Sequence, residues 1–133
     1  MILLDTHVLI WMDADDPTLG KNSRRLIQQA WDSGKVATSA ISFWECAILQ
    51  QRERLILPMP PHGWRADLLA AGLQELALDG EVAILAAQLE LPHTDPADRF
   101  ITATAMVHSA TLVTADERLL EWKHRLTCQD ARL

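Results

Sequence analysis

The chain has 133 residues, 12 of them basic and 18 acidic, and 49% of its side chains are hydrophobic. That is one domain's worth of sequence with enough apolar material for a real core. No apolar run approaches the roughly 20 residues of a membrane span, and the acidic balance alone argues against a binder with a basic nucleic-acid face.

In chain order, residues 1–5 predict a first strand that ends in Asp5. Thr6 can cap a helix containing His7, Val8, Leu9, Ile10 and Trp11, and Asp13-Ala14-Asp15-Asp16-Pro17 is a turn cluster. A helix over about 21–32 carries Leu26, Ile27 and Ala30 on its apolar stripe, and Gly34 marks its end. Val36-Ala37-Thr38 predicts a short buried strand, and Ser39 or Ser42 caps a helix running to about Arg52. Pro58, Pro60 and Pro61 mark a loop ahead of a helix near 64–71. Residues 73–78 predict a strand, Asp79 an N-cap, and 81–91 a helix. Asp95 and Pro96 predict the N-cap and first residue of a helix to about His108. A strand at 111–114, a short helix at 117–122 and an edge strand at 126–128 complete the chain. This alternation predicts an α/β fold, a parallel sheet between helices, as one domain over 1–133.

Five acids carry the chemistry: Asp5, Glu45, Asp95, Asp98 and Asp116. In an open parallel sheet, ligands bind beyond the carboxyl ends of the strands. Strand-end acids far apart in sequence can therefore meet there. Clustered carboxylates repel unless a cation neutralises them, and hard oxygen donors suit Mg²⁺ or Mn²⁺. This pattern predicts a metal-dependent enzyme acting on phosphate esters.

Each acid also has a structural reading. Thr6 is as fit to cap the first helix as Asp5, which leaves Asp5 free for the site. Glu45 forms a capping box with Ser42 if the helix starts there; if the helix starts after Ser39, Glu45 lies in the second turn. Residues alone leave both open. Asp95 suits the cap, and Asp98 begins a helical row with Thr102 and Ala105 that could line a crevice. Asp98 is therefore the expected metal acid, and Asp95 a cap or outer partner. Asp116 could simply cap the helix of Leu119 and Leu120, but it follows an apolar strand. Thr114 could hydrogen-bond a neighbouring acid.

Other features read as structural. Trp11, Trp31, Trp44, Trp64 and Trp122 predict core or interface positions, and His7 predicts first-turn packing. Cys46 and Cys128 show neither metal spacing nor a disulfide framework, so reduced, partly buried thiols are expected. The histidines at 7, 62, 93, 108 and 124 share no zinc-type spacing. No glycine-rich phosphate loop occurs. The N-terminus lacks a basic region and a cleavage site, which predicts no signal peptide and a cytoplasmic location. A cation bound by the acids would cancel much of the excess charge, leaving Arg24, Arg25, Arg52, Arg54, Arg99, Arg118, Lys123 and Arg125 for phosphates.

Four segments together resemble the PIN-domain ribonucleases, specifically the VapC-type toxins of bacterial toxin–antitoxin pairs. They are Leu3-Leu4-Asp5-Thr6-His7-Val8-Leu9-Ile10-Trp11, Ser39-Ala40-Ile41-Ser42-Phe43-Trp44-Glu45, the run from Asp95 to Ala105, and Leu112-Val113-Thr114-Ala115-Asp116. The resemblance spans essentially the whole chain. It implies a PIN-like fold, with Asp5, Glu45, Asp98 and Asp116 as the acidic quartet and Asp5 and Asp98 as principal Mg²⁺ ligands. Glu45 is thereby assigned to the site, with Thr6, Asp95 and Thr114 in support. The implied reaction is hydrolysis of an RNA phosphodiester, with Arg99 and Arg118 as candidates for gripping phosphates. It also implies a homodimer and a cognate antitoxin. The antitoxin is expected to lay an amphipathic helix along Val8, Trp11, Met12, Trp44 and Ile48, and to insert an arginine near Asp5 and Asp98. One departure is the segment 49–55, which lacks the lysine and glycine of many relatives. Two alternatives compete. Aspartyl-phosphate chemistry wants a second Asp where His7 stands, and a non-catalytic PIN module binding RNA or protein would have lost acids that are intact here.

Overall fold

A computed structural model describes residues 1–122 and 125–133; Lys123 and His124, named above, lie outside the described residues. The described strands are β1 (Ile2–Leu4), β2 (Val36–Ser39), β3 (Gln74–Leu76), β4 (Thr111–Thr114) and β5 (Thr127–Asp130). They form one parallel sheet in the order β3-β2-β1-β4-β5. Around it lie α1 (Thr6–Asp13), α2 (Lys21–Asp32), α3 (Ala40–Gln51), α4 (Pro61–Ala70), α5 (Gly80–Gln88), α6 (Pro96–Val107) and α7 (Glu117–Glu121). The α/β expectation holds, including the edge strand at the C-terminal end.

The central strands read as unbroken apolar runs because both faces of the sheet are covered. Successive side chains point to opposite faces. Ile2 and Leu4 pack with Val8, Leu9, Ile27, Val36 and Val113 in one core. Leu3 packs with Ala37, Leu112 and, from α6, Ile101 and Ala105 in the other.

Strand order places the site. The chain steps outward from β1 to β2 and β3, then returns to pair β4 on the other side of β1. In the register, Leu4 lies opposite both Thr38 and Val113, and the Asp5 amide bonds the Val113 carbonyl at 3.0 Å. The crevice beyond the ends of β1 and β4 is the topological switch point, where doubly wound sheets bind ligands.

Several boundaries differ from those predicted. α4 starts at Pro61, inside the expected loop, with Pro60 as its N-cap residue. A proline at the first helical position sacrifices no intrahelical bond, so the proline cluster opens the helix as well as ending a loop. α5 stops at Gln88, with Leu89 already extended. Val8 is completely buried, so it belongs to the core and drops out of the docking surface proposed above. The row from Asp98 also turns inward. Thr102 and Ala105 are completely buried, and the Thr102 hydroxyl bonds back to the Asp98 carbonyl at 2.8 Å. Only the Asp98 end of that row reaches a crevice. Among the described residues, no helix is long and apolar enough to cross a membrane.

Candidate active site

Asp5 is the N-cap residue of α1, and Thr6 is the first helical residue, the reverse of the division expected from sequence. Both Asp5 oxygens are held. Oδ1 accepts from the Thr6 amide at 2.8 Å and Oδ2 from the Thr114 hydroxyl at 2.7 Å. Thr114 Oγ1 in turn accepts from the Asp116 amide at 3.1 Å. One threonine on β4 therefore joins the ends of both central strands.

Glu45 is resolved by the cap of its helix. Ser39 caps α3, its hydroxyl accepting from the Ile41 amide at 3.2 Å, so Glu45 lies in the second turn and no capping box forms with Ser42. Thr6 Oγ1 lies 2.5 Å from Glu45 Oε1 and 2.9 Å from Ser42 Oγ. One hydroxyl carries one proton, and an ionised carboxylate can only accept. Thr6 therefore donates to Glu45, and Ser42 completes the contact. Freed from capping, Thr6 ties α1 to α3.

Asp95 caps α6, accepting from the Ala97 amide at 3.0 Å, and Pro96 opens the helix. Asp98 follows in the first turn, half-buried, and its carboxylate receives no hydrogen bond from any described residue. Asp116 caps α7 through Oδ1, which accepts from the amides of Arg118 at 2.9 Å and Leu119 at 3.4 Å. Its Oδ2 lies 2.6 Å from His93 Nε2. Asp116 thus caps α7 with one oxygen and faces His93 with the other.

The electrostatics follow from burial and crowding. Asp5, at 9% exposure, has its carboxyl pushed above the ordinary range by burial, with Thr114 and Thr6 opposing. Burial also raises Glu45, against the Thr6 hydrogen bond, and Asp5, Asp98 and Asp95 add repulsion. Asp98 is pushed up to about 6, by burial first and then by Asp5 and Asp95, while His93 works the other way. Asp116 goes down: burial raises it, but His93 and the amides of Leu119 and Arg118 together outweigh that. The mutual repulsions place the four acids in one field.

His93 is the residue that sequence reasoning missed. It is 1% exposed, and one ligand atom each from His93, Asp98 and Asp116 lie within 4.8 Å of one another. A search for local zinc-type spacing passes over it because its partner is on β4's far side of the chain. The available signal was its place two residues ahead of the Asp95-Pro96 helix start.

The cationic candidates separate. Arg118 is 59% exposed, with Nε 3.9 Å from Asp116 Oδ1. Arg99 is partly buried and donates to backbone carbonyls of Ala86, Leu89, Leu91 and His93. Its guanidinium donors are thus engaged within the chain. Cys46 and Cys128 are free thiols, pushed up by burial to about 12 and about 11. His7 is exposed, its ring 6.5 Å from that of Trp11.

A PIN-domain family model matches residues 2–124. The chain is 36% identical over 124 residues to Ribonuclease VapC22 of Mycobacterium tuberculosis, covering 92% of each sequence. Among solved structures, it resembles a chain of the VapBC2 complex from Rickettsia felis bound to a promoter DNA fragment, with TM-score 0.70, 16% identity, and 97% and 98% coverage. A chain of a toxin–antitoxin complex from Klebsiella pneumoniae superposes with TM-score 0.65 at 18% identity, over 96% of each chain. Fold, site position and sequence likeness agree: the chain belongs to the PIN-domain family, as a relative of the VapC ribonucleases.

Proposed function

We propose that this protein is an endoribonuclease dependent on Mg²⁺ or Mn²⁺, and the toxin of a VapBC-type toxin–antitoxin pair. The observation that carries the reading is Asp98. It is a half-buried carboxylate pushed up to about 6, with no hydrogen-bond donor among the described residues, facing three further acids. A carboxylate so placed is short of positive charge. The donor set fits a hard divalent ion, being oxygen throughout the quartet.

In this reading Asp5 and Asp98 hold the ion, and Glu45 and Asp116 complete its surroundings. When bound, the ion supplies charge for the phosphoryl oxygens and a nucleophile at neutral pH. The chain's own residues supply the positioning. Thr114 and the Thr6 amide fix the Asp5 carboxylate from two sides. Thr6 fixes one Glu45 oxygen and leaves the other to orient a water. Arg118, on the exposed rim, offers a guanidinium to the RNA backbone. Partners in this reading are the RNA substrate, a cognate antitoxin and a second copy of the chain, in the cytoplasm. The toxin–antitoxin assemblies to which related chains belong support the antitoxin.

The test is cleavage of a total-RNA preparation by the purified chain with Mg²⁺, with chelator, and as Asp5→Asn. Cleavage should need the ion and fall almost to background in the variant. Equal cleavage by Asp5→Asn would remove Asp5 from the site, and equal cleavage in chelator would remove the ion.

A further inference from the structure

We infer that Arg99 and His93 form a positioning relay, in which Arg99 pins the segment between α5 and α6 so that His93 holds the Asp116 carboxylate in the acidic site. The segment needs pinning. It runs from Leu89 to Asp95 without regular structure, and Pro92 brings no N–H. Trp122 Nε1 donates to Glu90 O at 3.0 Å, and the neighbouring carbonyls of Leu89, Leu91 and His93 need partners too. Arg99 supplies them. Nε donates to Ala86 O at 2.9 Å, Nη1 to Leu91 O at 3.2 Å and His93 O at 2.9 Å, and Nη2 to Leu89 O at 2.6 Å. Only a planar fork with several rigid donors reaches all four; an ammonium on a flexible stem does not.

The consequence appears at His93. Its ring is buried, and Nε2 meets Asp116 Oδ2 at 2.6 Å. Asp116 accepts, so Nε2 carries the shared proton. Nδ1 is buried without a partner. His93 thus acts on the Asp116 carboxylate through Nε2. With Oδ1 tied to two α7 amides and Oδ2 to His93, Asp116 is held in one orientation beside Asp98.

The proposal rests on the acidic site taking a divalent cation, so binding and cleavage are measured separately. Mn²⁺ affinity of the purified full chain is measured by electron paramagnetic resonance without RNA, and kcat and KM are measured on RNA. His93→Leu removes the donor at similar bulk. It should weaken Mn²⁺ binding about 10- to 100-fold, the usual effect of losing a residue that orients a ligand. It should lower kcat with little change in KM for RNA. His93→Gln, which restores an N–H donor, should recover most of the loss. Arg99→Lys keeps the charge but loses the fork, and should weaken Mn²⁺ binding about ten-fold.

Mn²⁺ affinities within about two-fold of wild type in both His93→Leu and Arg99→Lys would overturn the relay. So would an Arg99→Lys variant altered only in KM, which is the behaviour of a phosphate contact. If His93→Leu does not fold, ring ¹⁵N shifts of the wild-type protein decide. A proton on Nε2 supports the relay, and an Nε2 without a proton overturns it. A wild-type chain that binds Mn²⁺ but cuts no RNA would defeat the nuclease reading alone, because the Mn²⁺ arm still tests the relay.

Discussion

Asp98 marks the point where sequence pattern and site electrostatics meet. Its carboxyl is pushed up to about 6 by burial, then by Asp5 and Asp95. An acid raised in the folded state holds a proton that the unfolded chain has already released. Folding is therefore favoured at low pH and weakened as pH climbs from about 4 through about 6. Asp5 and Glu45 are displaced in the same direction. Asp116 is displaced the other way, but its stabilisation is lost only as pH falls below the ordinary carboxylate range, outside that window. The cation-free protein should thus melt higher at pH 5 than at pH 7.5. Mg²⁺ should raise the Tm more at pH 7.5, where the acids are ionised. Asp98→Asn should flatten both dependences. A Tm that rises between pH 5 and 7.5 without cation would contradict the assigned crowding. Asp5 and Asp98 stand out in the sequence because one ends an apolar strand and the other lies in the first turn of a helix. The hydrogen bonds of Asp5 were not, since a cap can be read on either of two adjacent polar residues. His93 was illegible for a different reason: its partner, Asp116, is distant in sequence, and only the fold brings them together.

At the scale of elements, caps decide which acids are spare. Asp95 caps α6 and Asp98 does not. Asp95→Ser should keep most cleavage activity, since serine caps nearly as well as aspartate. Asp98→Ser should abolish it. Equal loss in both would show that Asp95 serves the cation as well as the helix. A different device caps α2. Gly20 at its N-cap has no side chain, and the Ser23 amide instead donates to the Leu133 carbonyl at 3.0 Å, while the Gly20 amide donates to Ala131 O at 2.8 Å. The C-terminal backbone lies where a Cβ on Gly20 would stand, against Leu133 and Arg132. Gly20→Ala should destabilise the fold by about 1–3 kcal/mol, the usual range for forced overpacking, measurable by denaturant unfolding. No change would mean that the C-terminal strap yields freely. Strands and most helices were legible because period and punctuation agree there. The strap was not, because backbone carbonyls carry no residue code. The start of α4 was misread because proline signals both a loop end and a helix beginning.

At the scale of the molecule, the net charge of −6 has to be reconciled with an RNA substrate. In the proposed reading a cation held by the acidic quartet would mask part of that charge. Of the arginines, Arg24 pairs Asp15, Arg65 pairs Glu75, and Arg132 pairs Asp130 and Glu117. In the proposed reading, phosphate contact would fall to the exposed Arg118 and to Arg25, Arg52, Arg54 and Arg125, which are also exposed. An active nuclease of this kind would harm its own host unless blocked. The surface beside the acids suits a blocking helix. Trp44 is 57% exposed on α3, next to Glu45, and Trp11, Met12 and Ile48 are partly exposed nearby in sequence on α1 and α3. An arginine from the blocker would pair best with the unpartnered Asp98 carboxylate. Expression of this chain alone should therefore arrest bacterial growth, and Asp98→Asn should relieve the arrest. Co-expression with the adjacent upstream gene should restore growth and yield a complex that co-purifies. Trp44→Ala should weaken that complex by about 2 kcal/mol or more, the loss typical of a central aromatic anchor, while leaving RNA cleavage intact. A wild-type chain that cuts RNA in vitro but leaves growth unchanged would remove the toxin role and leave the nuclease standing.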